Sequence, residues 1–283
     1  MTDSVALRVG LTQWRPTKDL EANLEQALRL IETTAEQGAD LVLLPENGLY
    51  LGSNQEMRAA ALALDSPAID ALREATRKAG VVTILGGFKC RQFTSIVNKA
   101  LVIGADGSIV GGYDKIHLFD ARVGGQSFEA SSVETAGECP VVLDVKGVKV
   151  GLTICYDVRF PELYRRLALA GAQVMIVPAA FTQITGEAHW EVLLRARAIE
   201  SGAYVIASAT IRGDDGTDAF PTYGHALAVD PWGKVLFDLG ETRSGCTVVS
   251  IELDRVNKAR TSIPAFRGLH QAAVARDAVL LST

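Results

Sequence analysis

The chain has 283 residues, 48% hydrophobic and 22% charged, enough for one large core. Its formal net charge is -5 and no lysine or arginine block stands out, which argues against nucleic acid and anionic membrane as partners. No apolar run approaches a membrane span, Met1–Arg8 does not read as a signal peptide, and four cysteines without CxxC pairing fit a reducing, cytoplasmic setting.

In chain order, Ala6–Thr12 reads as a strand, and a helix follows with Thr17 or Asp19 as N-cap. Leu20, Leu24, Ala27, Leu28, Ile31 and Ala35 form its buried stripe and Gly38 ends it. Leu41–Leu44 is a continuous apolar strand, as expected where both faces are covered, and it stops at Pro45-Glu46. Ser66-Pro67 starts a second helix with Ile69, Leu72, Thr76 and Ala79 inward and Gly80 as stop. Val81–Leu85 is a strand ending at Gly86-Gly87, and 98–113 reads as a hairpin turning at Asp106-Gly107. Its second arm runs into Asp114-Lys115-Ile116-His117-Leu118. Phe119–Cys139 has little pattern and reads as a long loop, of the kind that often carries function.

Val141–Val145 and Val148–Ile154 form the next hairpin, and Cys155 follows at the strand's carboxyl end. Pro161 opens a helix with Leu163, Leu167 and Ala170 on one stripe and Gly171 as stop. Ala172–Val177 is a buried strand, Glu187–Ser201 a helix, and Tyr204–Ala209 a strand. His225–Val229 and Lys234–Leu239 flank the Asp230–Gly233 turn. Thr247–Ile251 is the last strand, before a short polar helix and tail. Gly38–Pro45 echoes Gly171–Pro178, and the hairpins at 98–113 and 225–239 echo each other. Two similar halves suggest two sheets packed face to face with helices outside, in a single domain spanning 1–283.

Glu46, Lys115 and Cys155 each end or interrupt an apolar strand-like run. Alone, each has an ordinary reading: a solvated loop acid, a sheet-edge charge, an inert small thiol. Brought to one sheet end, an acid, a cation and a thiol could perform acyl transfer. The glutamate would take the thiol proton, and the lysine, with a backbone N–H such as that of Tyr156, would face the oxyanion. The four histidines, 117, 189, 225 and 270, lack ligand spacing, so no metal and no cofactor is expected.

Leu43-Leu-Pro-Glu46, Tyr113-Asp-Lys115-Ile-His-Leu118 and Ile154-Cys155-Tyr-Asp-Val-Arg-Phe-Pro-Glu162 resemble the three signature blocks of the nitrilase superfamily of carbon–nitrogen hydrolases. Thr185–Glu200 and Gly224–Gly233 resemble two further blocks, so the likeness covers residues 5 to about 265. The resemblance implies an α/β fold, a four-layer αββα sandwich of two mixed sheets, that pairs into a homodimer or higher homo-oligomer. It implies Glu46 as general base, Lys115 as oxyanion stabiliser, Cys155 as nucleophile, and a second glutamate at Glu129.

The wording around Cys155 and Thr185 is closest to the Nit branch, whose ω-amidases and deaminated-glutathione amidases act on 2-oxoglutaryl amides. Arg159 would then read the substrate carboxylate, with Tyr156, Phe181 and Thr185 lining the site. Other readings on the same fold are an N-carbamoyl amino acid amidohydrolase, a nitrilase or a non-catalytic binding protein. The tail departs from the family's Arg-Arg-x-Asp-Leu-Tyr ending, with Phe266-Arg-Gly-Leu-His270 in its place.

Overall fold

A computed structural model describes residues 5–213 and 216–265; the Phe266–His270 tail lies outside them. In chain order the elements are β1 (Val5–Trp14), α1 (Leu20–Glu36), β2 (Leu41–Leu43), α2 (Asn54–Ala59), α3 (Pro67–Ala79), β3 (Val82–Gln92), β4 (Ser95–Ile103) and β5 (Ile109–Asp114). There follow β6 (Asp120–Val123), β7 (Gln126–Glu129), β8 (Val141–Val145), β9 (Val148–Leu152), α4 (Pro161–Leu169), β10 (Val174–Ala179) and α5 (Gln183–Ser201). The last are β11 (Tyr204–Thr210), β12 (Leu227–Val229), β13 (Val235–Asp238), β14 (Gly245–Glu252) and α6 (Leu253–Ser262).

The strands order as β5-β4-β3-β2-β1-β14 in one half and β8-β9-β10-β11-β12-β13 in the other. The halves are joined by a two-residue parallel seam between β1 and β11, Gln13 to Ala209 and Trp14 to Thr210. Each half is mixed, parallel at its centre and antiparallel at its margins.

Side-chain alternation places the layers. Leu7, Val9, Leu11, Leu41 and Leu43 face the second half and share its core with α4 and α5. Val42, Leu44 and Leu85 point the other way, onto Ala27, Leu30 and Ile31 of α1 and Ile69 and Leu72 of α3. The result is helices, sheet, sheet, helices, the αββα arrangement expected. Strand β2 is apolar throughout because both of its faces are covered.

Of the two expected N-caps of α1 the structure uses the second, and several other local details differ from the sequence reading. Asp19 caps α1, its side chain accepting from the amides of Glu21 and Ala22, worth about 1 kcal/mol. Strand β3 continues through Gly86-Gly87 as a bulge rather than ending there. The 119–139 stretch contains the hairpin β6–β7, turned by Gly124 and Gly125, both at positive φ. Helix α2, capped by a Ser53–Glu56 capping box, was not expected. On α4 the buried stripe is Leu163, Tyr164, Leu167 and Ala168; Ala170 lies beyond the last turn and is exposed.

Candidate active site

Strand direction brings three unlike ionisable groups together. Strands β2 and β9 both run parallel to their inner neighbours, and Glu46 and Cys155 follow their carboxyl ends. Strand β5 is antiparallel to β4, which is antiparallel to β3, so its end, with Lys115 next, reaches the same side. Three left-handed residues mark the turns: Asn47 at φ 54°, Gly87 at φ 52° and Cys155 at φ 47°.

Glu46 is buried and accepts three hydrogen bonds. Its Oε1 accepts from Lys115 Nζ at 2.7 Å and from Asn98 Nδ2 at 3.0 Å, and its Oε2 accepts from the Ala180 amide at 3.0 Å. Burial alone would raise its pKa, but the Lys115 and Lys89 cations override this and hold it at about 2. Lys115 is pushed upward: burial opposes its charge, and the Glu46 carboxylate outweighs burial. Burial pushes the Cys155 thiol well up, and the Glu46 charge beside it pushes the same way against Lys115. The resting site is therefore thiol, carboxylate and ammonium. The thiol keeps its proton at rest, and the Glu46 carboxylate lines the same pocket, where it can receive that proton as sulfur attacks a carbon.

The structure places Glu129, the expected second glutamate, and nearby Glu134 differently. Glu129 sits exposed on β7, with Ser127 Oγ donating to it at 3.2 Å, outside the pocket. Glu134, five residues on, is buried in the pocket wall and bonded to Lys89 Nζ at 2.5 Å. Its other oxygen, Oε2, is buried without a hydrogen-bond partner. Hairpin β6–β7 and the one-turn helix after it decide this by turning residue 129 outward and residue 134 inward. Asn98, Lys89, Glu134 and the Ala180 amide were all missed. Only Asn98 left a signal, a polar residue inside an apolar run.

At the mouth, Arg159 lies 5.0 Å from the Phe181 ring centroid and 5.9 Å from that of Tyr156. Its Nη1 is 3.3 Å from His189 Nδ1, and among the described residues no carboxylate pairs with it. Phe181 and Thr185 line the same pocket, as do Tyr156 and Arg159. Overhead, Phe119 packs on Phe128 and on Tyr156 at 5.0 Å, and Phe128 on Phe220 at 5.4 Å. Among the described residues no cluster of three His, Cys, Asp or Glu side chains could hold a metal. Likewise, no described helix is long and apolar enough to cross a membrane.

The family model for carbon-nitrogen hydrolases matches residues 8–261. The deaminated glutathione amidase of Synechocystis sp. is 39% identical over 255 residues, covering 88% of this chain and 93% of that protein. The chloroplastic omega-amidase of Arabidopsis thaliana is 35% identical over 267 residues, covering 92% and 71%. Saccharomyces cerevisiae Nit3, a member of branch 10 of the nitrilase superfamily, has a solved structure with a TM-score of 0.82 and 29% identity, covering 91% and 94%.

Proposed function

Because this chain belongs to the carbon–nitrogen hydrolases of the nitrilase superfamily, amidases of non-peptide bonds, we propose that it cleaves a small carboxylate-bearing amide of the 2-oxoglutaramate or deaminated-glutathione type. The observation that carries this reading is the meeting of Glu46, Lys115 and Cys155 in one pocket with Arg159 at its mouth. The chain acts as one domain.

Cys155 Sγ attacks the amide carbon while its proton passes to Glu46. The carbonyl oxygen, now negative, is met by Lys115 Nζ and the Tyr156 amide. Glu46 returns the proton to the leaving nitrogen, the C–N bond breaks, and ammonia or an amine departs. A thioester on Cys155 remains. Water then attacks it, giving a proton to Glu46, and the acid product leaves as the thiol is restored. We place the second carboxylate at Glu134, in the pocket wall beside Lys89, rather than at Glu129. Arg159 offers a bidentate fork to the substrate carboxylate. A reducing compartment goes with this chemistry, since the nucleophile must remain a free thiol.

The protein acts as a homodimer. Helix α5 leaves Ile184, Val192 and Ile199 exposed along one face, with exposed Trp232 on the turn whose Gly233 carbonyl accepts from Arg195 Nε at 2.8 Å.

Ammonia release from 2-oxoglutaramate, neutral aliphatic amides, nitriles and N-carbamoyl amino acids tests the reading, with Cys155→Ala as control. The expected result is turnover of the carboxylate-bearing amide, abolished in a folded Cys155→Ala protein. Turnover confined to nitriles or carbamoyl compounds would overturn the substrate assignment. Activity surviving in Cys155→Ala would overturn the mechanism.

A further inference from the structure

Tyr113, His117 and Asp157 belong to the same sequence blocks as Lys115 and Cys155, yet none of them lines the pocket. They meet behind it. The Asp157 carboxylate is fully buried and accepts four hydrogen bonds. Its Oδ2 accepts from the Tyr113 hydroxyl at 2.8 Å and from the Ile154 amide at 2.9 Å. Its Oδ1 accepts from the His117 amide at 3.2 Å and faces His117 Nδ1 at 2.7 Å, with Nδ1–H as donor.

These donors come from two separate segments. Tyr113 and His117 flank Lys115 at the end of β5, and Ile154 immediately precedes Cys155. The turn closes on itself through the Asp157 amide to Ile154 O and the Phe160 amide to Asp157 O, both 3.0 Å. His117 is stacked flat on Phe160 at 3.6 Å. Cys155 holds its left-handed conformation inside this knot.

We propose that Asp157 is a positioning residue that clasps the strand end carrying Lys115 to the turn carrying Cys155, and so sets where the oxyanion-facing ammonium stands relative to the attacking sulfur. The inference rests on the amidase reading of the site. Only a carboxylate suits the place, because all four groups aimed at it are donors. An asparagine would turn an NH2 group against two of them, and a buried donor without an acceptor is costly. Asp157 acts through the two residues it aligns and does not touch substrate.

The test uses Asp157→Asn, Tyr113→Phe and the double variant, each checked by thermal melting. Steady-state kinetics is measured on the best amide, and the rate of iodoacetamide alkylation at Cys155 is followed peptide by peptide, because Cys139 is exposed and also reacts. Misplacement on the scale of 1 Å predicts a loss of about a hundredfold in kcat for Asp157→Asn with KM within about threefold. Alkylation of Cys155 should slow alongside. Tyr113→Phe should lose about tenfold, and the double variant should be no worse than Asp157→Asn alone, since both remove one clasp.

Wild-type kcat and alkylation in a folded Asp157→Asn protein, or additive losses in the double variant, would overturn the clasp. If Asp157→Asn does not fold, Tyr113→Phe decides alone: unchanged kcat and alkylation overturn the proposal. Should the wild type hydrolyse no amide, the amidase reading falls by itself. The alkylation rates then judge the clasp.

Discussion

At the scale of single residues, charge and burial set what each group can do. Arg159 lies among aromatic rings and a histidine, with no carboxylate partner among the described residues. A hydrogen bond to a charged group is worth roughly 1.5–3 kcal/mol. Arg159→Ala should therefore lower kcat/KM about ten- to a hundredfold on 2-oxoglutaramate-like amides, and little on neutral aliphatic amides. Comparable losses on both substrate types would mean that Arg159 only props up the mouth.

Glu46 makes a prediction about pH. Its carboxyl is depressed from 4.5 to about 2, so it adds stability above the unfolded value that is lost as pH falls through the folded one. Melting temperature followed from pH 6 down to pH near 2 should drop more steeply below about 4.5 in the wild type than in Glu46→Gln. Parallel curves for the two proteins would show that this ion pair does not contribute.

At the scale of elements, the β3 bulge makes room for the site. Gly87 is left-handed at φ 52°, and a Cβ there would stand 2.7 Å from Glu46 Cγ and 3.0 Å from Asn98 Oδ1. Gly86 is pressed between the Leu44 carbonyl and Pro178, where β3 meets β10 across the sandwich. Gly87→Ala should cost about 1–2 kcal/mol of stability from its backbone conformation. Because it displaces Glu46, it should also cut kcat about a hundredfold. A variant with reduced melting temperature and intact kcat would show that the bulge serves folding alone.

At the scale of the whole molecule, two sheets are held by a narrow seam and a shared core. Buried Gln13 fastens the seam: its Nε2 donates to the Gly240 and Arg243 carbonyls and its Oε1 accepts from the Ala226 amide. Outside, the apolar face of α5 has no covering layer among the described residues. Light scattering should give a dimer for the wild type and a monomer for Val192→Asp/Ile199→Asp, two substitutions that place charge on the exposed stripe. A monomeric wild type, or a double variant that stays dimeric, would move the interface elsewhere.

The sequence by itself determined the elements whose neighbours are nearest along the chain. The fully apolar run at 41–44 implied a strand covered on both faces, Ser66-Pro67 and Gly80 bounded α3, and the signature blocks pointed to Glu46, Lys115 and Cys155. Periodicity, caps and turns act over a few residues, so they are readable in place. What depended on distant segments was not. The bulge at Gly86-Gly87 answers to Pro178 across the sandwich and to Glu46 beyond the neighbouring strand. The hairpin within 119–139 has two strands of four residues each, too short for a clear alternation, and it leaves Glu129 exposed while Glu134 enters the pocket wall. The pairing of Lys89 with Glu134 spans 45 positions in the chain. Only tertiary packing could bury both charges together, and burial without a partner would have been too costly for either one alone.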